Sequence, residues 1–241
     1  MSVAIIGAGL QGCCVALELV ARGMEVDLFD RATAPMQGAS RGNEGKIHLG
    51  YVYAKDFGLA TARVMVRGAF HFDGFLRRHL DVNAPAAPCS TPFVYGVHRE
   101  SQLGARDVAD YFVAVDRLIA AEAANGTGDE YLGETHLQYS RPVAVERYFD
   151  PVQVAAAFQT AERAIGTLVL ADAMTTRILA DPRIVFHAGH DVERVERIGS
   201  QRFRLACRDG DWISGYRHIV NASWASRLAI DSRFGLNPGR P

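Results

Sequence analysis

Apolar and polar positions alternate between two periods along this chain, and the changes of period divide it. Residues Val3 to Ile6 form a short apolar run, glycines follow at 7, 9 and 12, and an apolar stretch with helical spacing continues to Ala21. A second short run, Val26 to Phe29, closes on Asp30. This reads as strand, glycine turn, helix, strand, the opening of a βαβ unit. The three glycines then do different things. Gly7 makes the tight turn, Gly9 lets a pyrophosphate approach the backbone, and Gly12 lets the helix pack on the first strand. The N–H groups of Leu10 and Gln11 would face the phosphates at a helix N-terminus, where the dipole favours negative charge. Asp30 follows Gly9 by about 20 residues, the offset at which a carboxylate meets a ribose hydroxyl in dinucleotide sites.

After Arg31 the pattern departs from a nicotinamide-binding fold, which would continue at once into a third parallel strand. A polar loop from Ala32 to Lys46 comes instead, then an apolar run from Ile47 to Tyr53. Helical spacing returns at about 58–79, a strand is expected at Phe93–His98 after a proline-rich stretch from Ala84, and a further helix at Ala105–Ala124 with a stop at Asn125 and Gly126. Asp150 and Pro151 read as an N-cap and first turn, launching a helix through Val154, Phe158 and Ala161. Another helix is expected at Leu168–Leu179. The period then falls to two, giving strands at Ile184–Phe186, Val192–Ile198, Phe203–Cys207, Trp212–Ser214 and Ile219–Asn221, with Asp209 and Gly210 as a hairpin turn. No internal repeat or low-complexity linker interrupts this order.

Composition narrows the class further. The chain has 241 residues, 49% of them hydrophobic and 22% charged, with a net charge of −1, so it can bury a real core. Without a basic run or charge asymmetry, nothing points to nucleic acid or to an anionic membrane surface. The apolar N-terminus lacks a basic leader and is interrupted by Gln11 and Glu18, which argues against a signal peptide or transmembrane segment and for a cytoplasmic protein. Four cysteines without zinc spacing read as buried apolar residues, and His187 and His190 as exposed imidazoles at a turn, so no metal site is expected.

With these motifs in view, the chain resembles the flavin-dependent oxidoreductases of the D-amino-acid oxidase, glycine oxidase and sarcosine oxidase superfamily. Four stretches carry the resemblance: the glycine turn with Asp30 and Arg31; the loop Ala39, Ser40, Arg41, Asn43 and Gly45; Asp191 and Val192; and Ile219 to Ala225. It implies FAD as cofactor, with Asp30 and Arg31 on the adenosine ribose, Ser40, Arg41, Asn43 and Gly45 continuing the pyrophosphate contacts towards the flavin ring, the Val192 backbone at the adenine, and Ala222 returning under the cofactor. The implied fold is α/β: an FAD-binding Rossmann-like domain of the glutathione-reductase type with a β-meander, made of 1–80 and 143–230, and an interleaved, incomplete α+β substrate domain including 81–142. The glycine usual shortly after Ala222 is missing, Ser223 and Trp224 standing there. Family members also continue beyond the equivalent of 231–241, so the chain is similar to an N-terminal portion, expected to leave apolar sheet surface exposed and to bind FAD weakly.

The implied activity is removal of a hydride equivalent from a CH–NH or CH–OH group of a small amine, amino acid or hydroxy acid. Lys46 is the charged candidate for the flavin ring, and a solvated surface lysine is its other reading. His48, two positions on, can serve as acid, base or hydrogen-bond donor, or as a structural histidine. Tyr51 and Tyr53 would share a strand face as core residues, and Arg77 and Arg78 close a helix. An NAD-dependent dehydrogenase and a non-catalytic nucleotide-binding module remain the alternatives. The substrate, the electron acceptor and the oligomeric state are not specified by the sequence.

Overall fold

A computed structural model of the chain describes residues 2–80, 89–125, 130–134 and 137–236. The proline-rich stretch up to Pro88, the helix stop at Gly126 and the segment from 237 lie outside them. By contacts the chain forms two units, one of 1–43 with 167–241 and one of 44–166. The sequence reading groups 44–80 and 143–166 with the FAD-binding part, whereas the contacts place them in the second unit.

The first unit opens with β1 (Ser2–Ile6), α1 (Leu10–Ala21) and β2 (Glu25–Asp30). Its later elements are α4 (Thr167–Ala180), β8 (Ile184–Ala188), β9 (Val192–Ile198), β10 (Arg202–Cys207), β11 (Trp212–Tyr216), β12 (His218–Asn221) and α5 (Arg227–Arg233). A parallel sheet runs in the order β12-β1-β2-β8, and β9 to β11 form an antiparallel meander. Ala4, Ile6 and Phe29 meet Val192, Val195, Leu205 and Tyr216 in one buried cluster, so the meander packs on one face of the sheet. Alternation along the strands turns Ile5 and Leu28 to the opposite face, where α1 buries Cys13, Ala16, Leu17 and Val20 beside α4.

The second unit contains β3 (Lys46–Ile47), α2 (Ala60–Leu80), β4 (Val94–His98), α3 (Ala105–Ala124), β5 (Arg141–Val143), β6 (Val154–Gln159) and β7 (Arg163–Ala164). β6 is the centre of an antiparallel sheet β4-β6-β5, and β3 pairs with β7. The helix expected from Asp150 is therefore a strand. Asp150 does start a turn, its carbonyl accepting from Gln153 and Val154 and its side chain from Val152 at 2.8 Å, but the turn stops there. Ladder bonds on both sides of Val154–Gln159 then override the helix preference of three successive alanines.

Three smaller expectations also change. Tyr51–Tyr53 is a 3-10 turn after Gly50 rather than a strand, with Tyr51 buried. Cys89 is exposed, while Cys13 and Cys207 are buried and Cys14 is half-buried. His187 is no free imidazole: it stacks on Phe29 at 4.3 Å and bonds Asp27 through Nε2 at 2.7 Å.

Candidate functional site

The glycine turn owes its shape to close approaches on two sides. Gly7 has φ +100°, and a β-carbon there would stand 2.6 Å from the carbonyl oxygen of Ala222. A β-carbon on Gly12 would stand 1.8 Å from the carbonyl oxygen of Gly7, so α1 rests directly on the turn. Gly9 differs, because the nearest atom to an added β-carbon is Ser40 Oγ at 3.1 Å. Its bare backbone faces a cleft of about 800 Å³ within the first unit, a size suited to a small-molecule or cofactor site. The N-terminus of α1, with Leu10 and Gln11, opens onto the same cleft and directs the positive end of its dipole there.

Asp30 locks this turn to the end of β2. Its Oδ2 accepts the Ala8 N–H at 2.6 Å and its Oδ1 the Ala32 N–H at 2.8 Å. A carboxylate offers about four lone-pair sites, so two bonds leave acceptor capacity for a ribose hydroxyl. Asp30→Ala is expected to weaken binding of a dinucleotide by about 1–3 kcal/mol, partly through the lost ligand bond and partly through the loosened turn. Parent-like affinity in a fluorescence titration would remove Asp30 from the site.

The loop after β2 forms a wall through Gln37, Gly38, Ala39, Ser40 and Asn43. Ser40 Oγ accepts the Leu10 N–H at 2.8 Å, and Asn43 Nδ2 donates to the carbonyls of Ala39 at 2.9 Å and Ser40 at 3.0 Å. His190, Asp191, Val192, Phe29 and Ala222 line the same cleft. Gly7, Arg31, Ser40, Asn43, Val192 and Ala222 thus line one cleft with Gly9, Leu10, Gln11 and Asp30. Three expected residues do not. Gly12 lies behind the turn, Arg41 pairs with Asp172 at 2.6 Å, and Gly45 is in the second unit, accepting the Ile165 N–H at 3.0 Å.

Lys46 and His48 also belong to the second unit. Lys46 stands 3.3 Å from Glu44 and 5.5 Å from the centre of the Phe93 ring. His48 faces the carboxylate of Glu162, which is fully buried. Burial would raise the Glu162 pKa, but donors including Tyr95 and the Leu49 N–H reverse this and hold it below the ordinary carboxylate range. Arg77 pairs with the buried Asp73 at 2.9 Å.

Sequence reasoning named neither Gln37 nor Glu162, and it read His190 as a turn imidazole and Trp224 as a departure from the family pattern rather than as cleft residues. For Trp224 the signal was present, since the usual glycine is missing there. The tryptophan itself takes the left-handed conformation, φ 47°, on the rim of the cleft with 85% of its surface exposed. Among the described residues no group of three His, Cys, Asp or Glu is placed to hold a metal, and no helix is long and apolar enough to cross a membrane.

Comparison with known proteins gives the family and the fold. The DAO family, described as FAD dependent oxidoreductase, matches residues 2–240. The chain is 38% identical over 76 residues to an FAD-dependent monooxygenase of Fusarium mangiferae, which covers 32% of this chain and 18% of that protein. It is 36% identical over 74 residues to the tRNA 5-methylaminomethyl-2-thiouridine biosynthesis bifunctional protein MnmC of Pseudomonas syringae pv. syringae, covering 31% of this chain and 11% of that one. Among solved structures, glycine oxidase from Geobacillus kaustophilus superposes with a TM-score of 0.66 at 18% identity, over 98% of this chain and 58% of that one. L-proline dehydrogenase from P. horikoshii gives 0.66 at 14% identity, over 100% and 57%. The chain therefore spans little more than half the length of these two solved structures, and the match covers less than a fifth of these curated relatives.

Proposed function

The chain belongs to the FAD-dependent oxidoreductase family, and from that premise we propose that its first unit holds the ADP portion of FAD and that the protein oxidises a CH–NH or CH–OH group of a small amine, amino acid or hydroxy acid. The observation that carries this reading is the cleft at the N-terminus of α1, where Gly9 presents bare backbone and Asp30 closes β2. The names of two solved relatives, glycine oxidase and L-proline dehydrogenase, support an amine substrate. The next parallel neighbour of β2 is β8, far along the chain, which weighs against a nicotinamide site.

In this proposal the N–H groups of Leu10 and Gln11 bind the pyrophosphate, Asp30 and Arg31 the ribose, and the Val192 backbone the adenine. Ser40 and Asn43 hold the loop wall, and Ala222 supports the turn from below. When bound, the isoalloxazine accepts the hydride equivalent. Lys46 supplies positive charge that favours reduction, and His48 exchanges a proton with the substrate amine or hydroxyl. The FAD-binding part is proposed to take in 1–80 and 143–230, wider than the first contact unit, with 81–142 serving the substrate.

The test is the absorption spectrum of the purified protein and its Gly9→Val variant. Given FAD, the parent is expected to retain the near-ultraviolet and visible bands of oxidised flavin, and Gly9→Val to lose them while its circular dichroism persists, because a branched side chain fills the pyrophosphate's path. A variant with parent-like flavin content would place the phosphates elsewhere. Lys46→Met is expected to lower the flavin reduction potential and slow reduction with the fold intact. An unchanged potential would return Lys46 to the role of a solvated lysine.

A further inference from the structure

His48 sits on a turn held by buried polar groups from several directions. The Ile47 carbonyl accepts the Tyr131 hydroxyl at 2.8 Å and the Gly50 carbonyl the Tyr111 hydroxyl at 2.9 Å. Glu162 Oε1 accepts the Leu49 N–H at 2.6 Å and the Gly50 N–H at 3.0 Å. A carboxylate without solvent contact costs several kcal/mol unless its lone pairs are met. Oε1 is therefore satisfied by the backbone that follows the imidazole it faces.

Oε2 is the other half of the arrangement. It accepts the Tyr95 hydroxyl and lies 3.4 Å from His48 Nδ1. That nitrogen is buried and meets full hydrogen-bond geometry with no group among the described residues, so the carboxylate oxygen is the charged acceptor it faces. The His48 side chain is nonetheless 28% exposed. Nδ1 contributes none of that exposure, while Nε2 is neither hydrogen-bonded among the described residues nor buried without a partner, so it is the ring nitrogen open to solvent.

We propose that Glu162 is the positioning residue of His48: its carboxylate receives the Nδ1–H, fixes that tautomer, and leaves Nε2 as the proton-accepting nitrogen on the exposed edge. This role deepens the acid–base reading of His48 given above and rests on it. The logic is that of any carboxylate behind a catalytic imidazole, which sets ring orientation and tautomer without itself taking the proton. A histidine serving only to fill space would need no such carboxylate, and one donating through Nε2 would need a donor behind Nδ1 instead.

Glu162→Gln keeps the two backbone bonds and turns the Oε2 position from acceptor to donor, so the Tyr95 hydroxyl must rotate and accept there instead of donating. The amide oxygen still accepts from Leu49 and Gly50, since turning the NH2 towards them would oppose donor to donor. The NH2 then faces His48 Nδ1, which must become an acceptor and pass the proton to Nε2. The experiment is nitrogen NMR of the full chain with 15N-labelled histidine, with His48 assigned by the signal lost in His48→Asn and the pH raised until the ring is neutral. The native protein should show a pyrrole-like Nδ1 and a pyridine-like Nε2; the two should exchange in Glu162→Gln and stay in place in Tyr95→Phe, which keeps the carboxylate. A native Nε2–H tautomer overturns the proposal, and so does a tautomer unmoved by Glu162→Gln. Should Glu162→Gln not fold, the native spectrum still decides. The spectrum is read without substrate, so its failure is separate from failure of the acid–base reading, which falls if His48→Asn leaves the rate of flavin reduction unchanged.

Discussion

Gly12→Ala is expected to destabilise the first unit by about 2 kcal/mol or more, although alanine is the better helix former. Propensity alone would favour alanine over glycine inside α1 by about 1 kcal/mol. The added methyl, however, would stand 1.8 Å from the Gly7 carbonyl oxygen, a backbone atom already fixed by its place at the end of β1. Relief requires α1 to lift from the sheet, loosening Cys13, Ala16 and Leu17 together. Overpacking of this kind costs about 1–3 kcal/mol and more where the backbone must move, so the clash outweighs the propensity. Urea denaturation of parent and variant measures the difference, and flavin content should fall with stability. A variant more stable than the parent would mean that helix and turn are not in this contact.

Phe29→Ala should cost still more, about 3–5 kcal/mol, the range for emptying a buried aromatic site. Phe29 has no solvent exposure, stacks on His187 and meets Tyr216 edge-on at 6.1 Å. It joins the parallel sheet to the meander and lines the cleft, so its loss leaves a void at the cleft wall. For a chain of this size the melting temperature should fall on the order of 10 °C. A fall of only a degree or two would show that the meander closes over the gap.

The two substitutions also mark what the sequence could disclose. Gly12 and Asp30 were legible because strand, turn and helix follow one another and their partners, Gly7 for the one and Ala8 and Ala32 for the other, belong to that unit, whereas Gly7 is also crowded by the distant Ala222, which only the fold reveals. The helix Ala105–Ala124 was legible for a related reason, since its period persists through five turns. The strand Val154–Gln159 was not, because an alanine-rich segment takes its conformation from neighbours on two other strands. Glu162 was hidden more deeply. Its partners, His48, Leu49, Gly50 and Tyr95, lie more than 60 positions away, and an isolated glutamate between Ala161 and Arg163 looks like surface. Trp224 lay between these cases: the missing glycine was visible, but not that the tryptophan would take a left-handed conformation.

The pairing of β12 with β1 bears on how the protein is made. β1 leaves the ribosome 215 residues before its partner β12, the distance from Val3 to His218. At about 5–20 residues per second, roughly ten to forty seconds separate the two. Through that interval one edge of β1 has no strand beside it, and Ala4 and Ile6 have no meander to cover them, whereas the contacts of 44–166 are completed well before. Nascent chains should therefore gain protease resistance across that intervening segment first, with β1 still open to chaperones or to a neighbouring chain until translation passes Asn221.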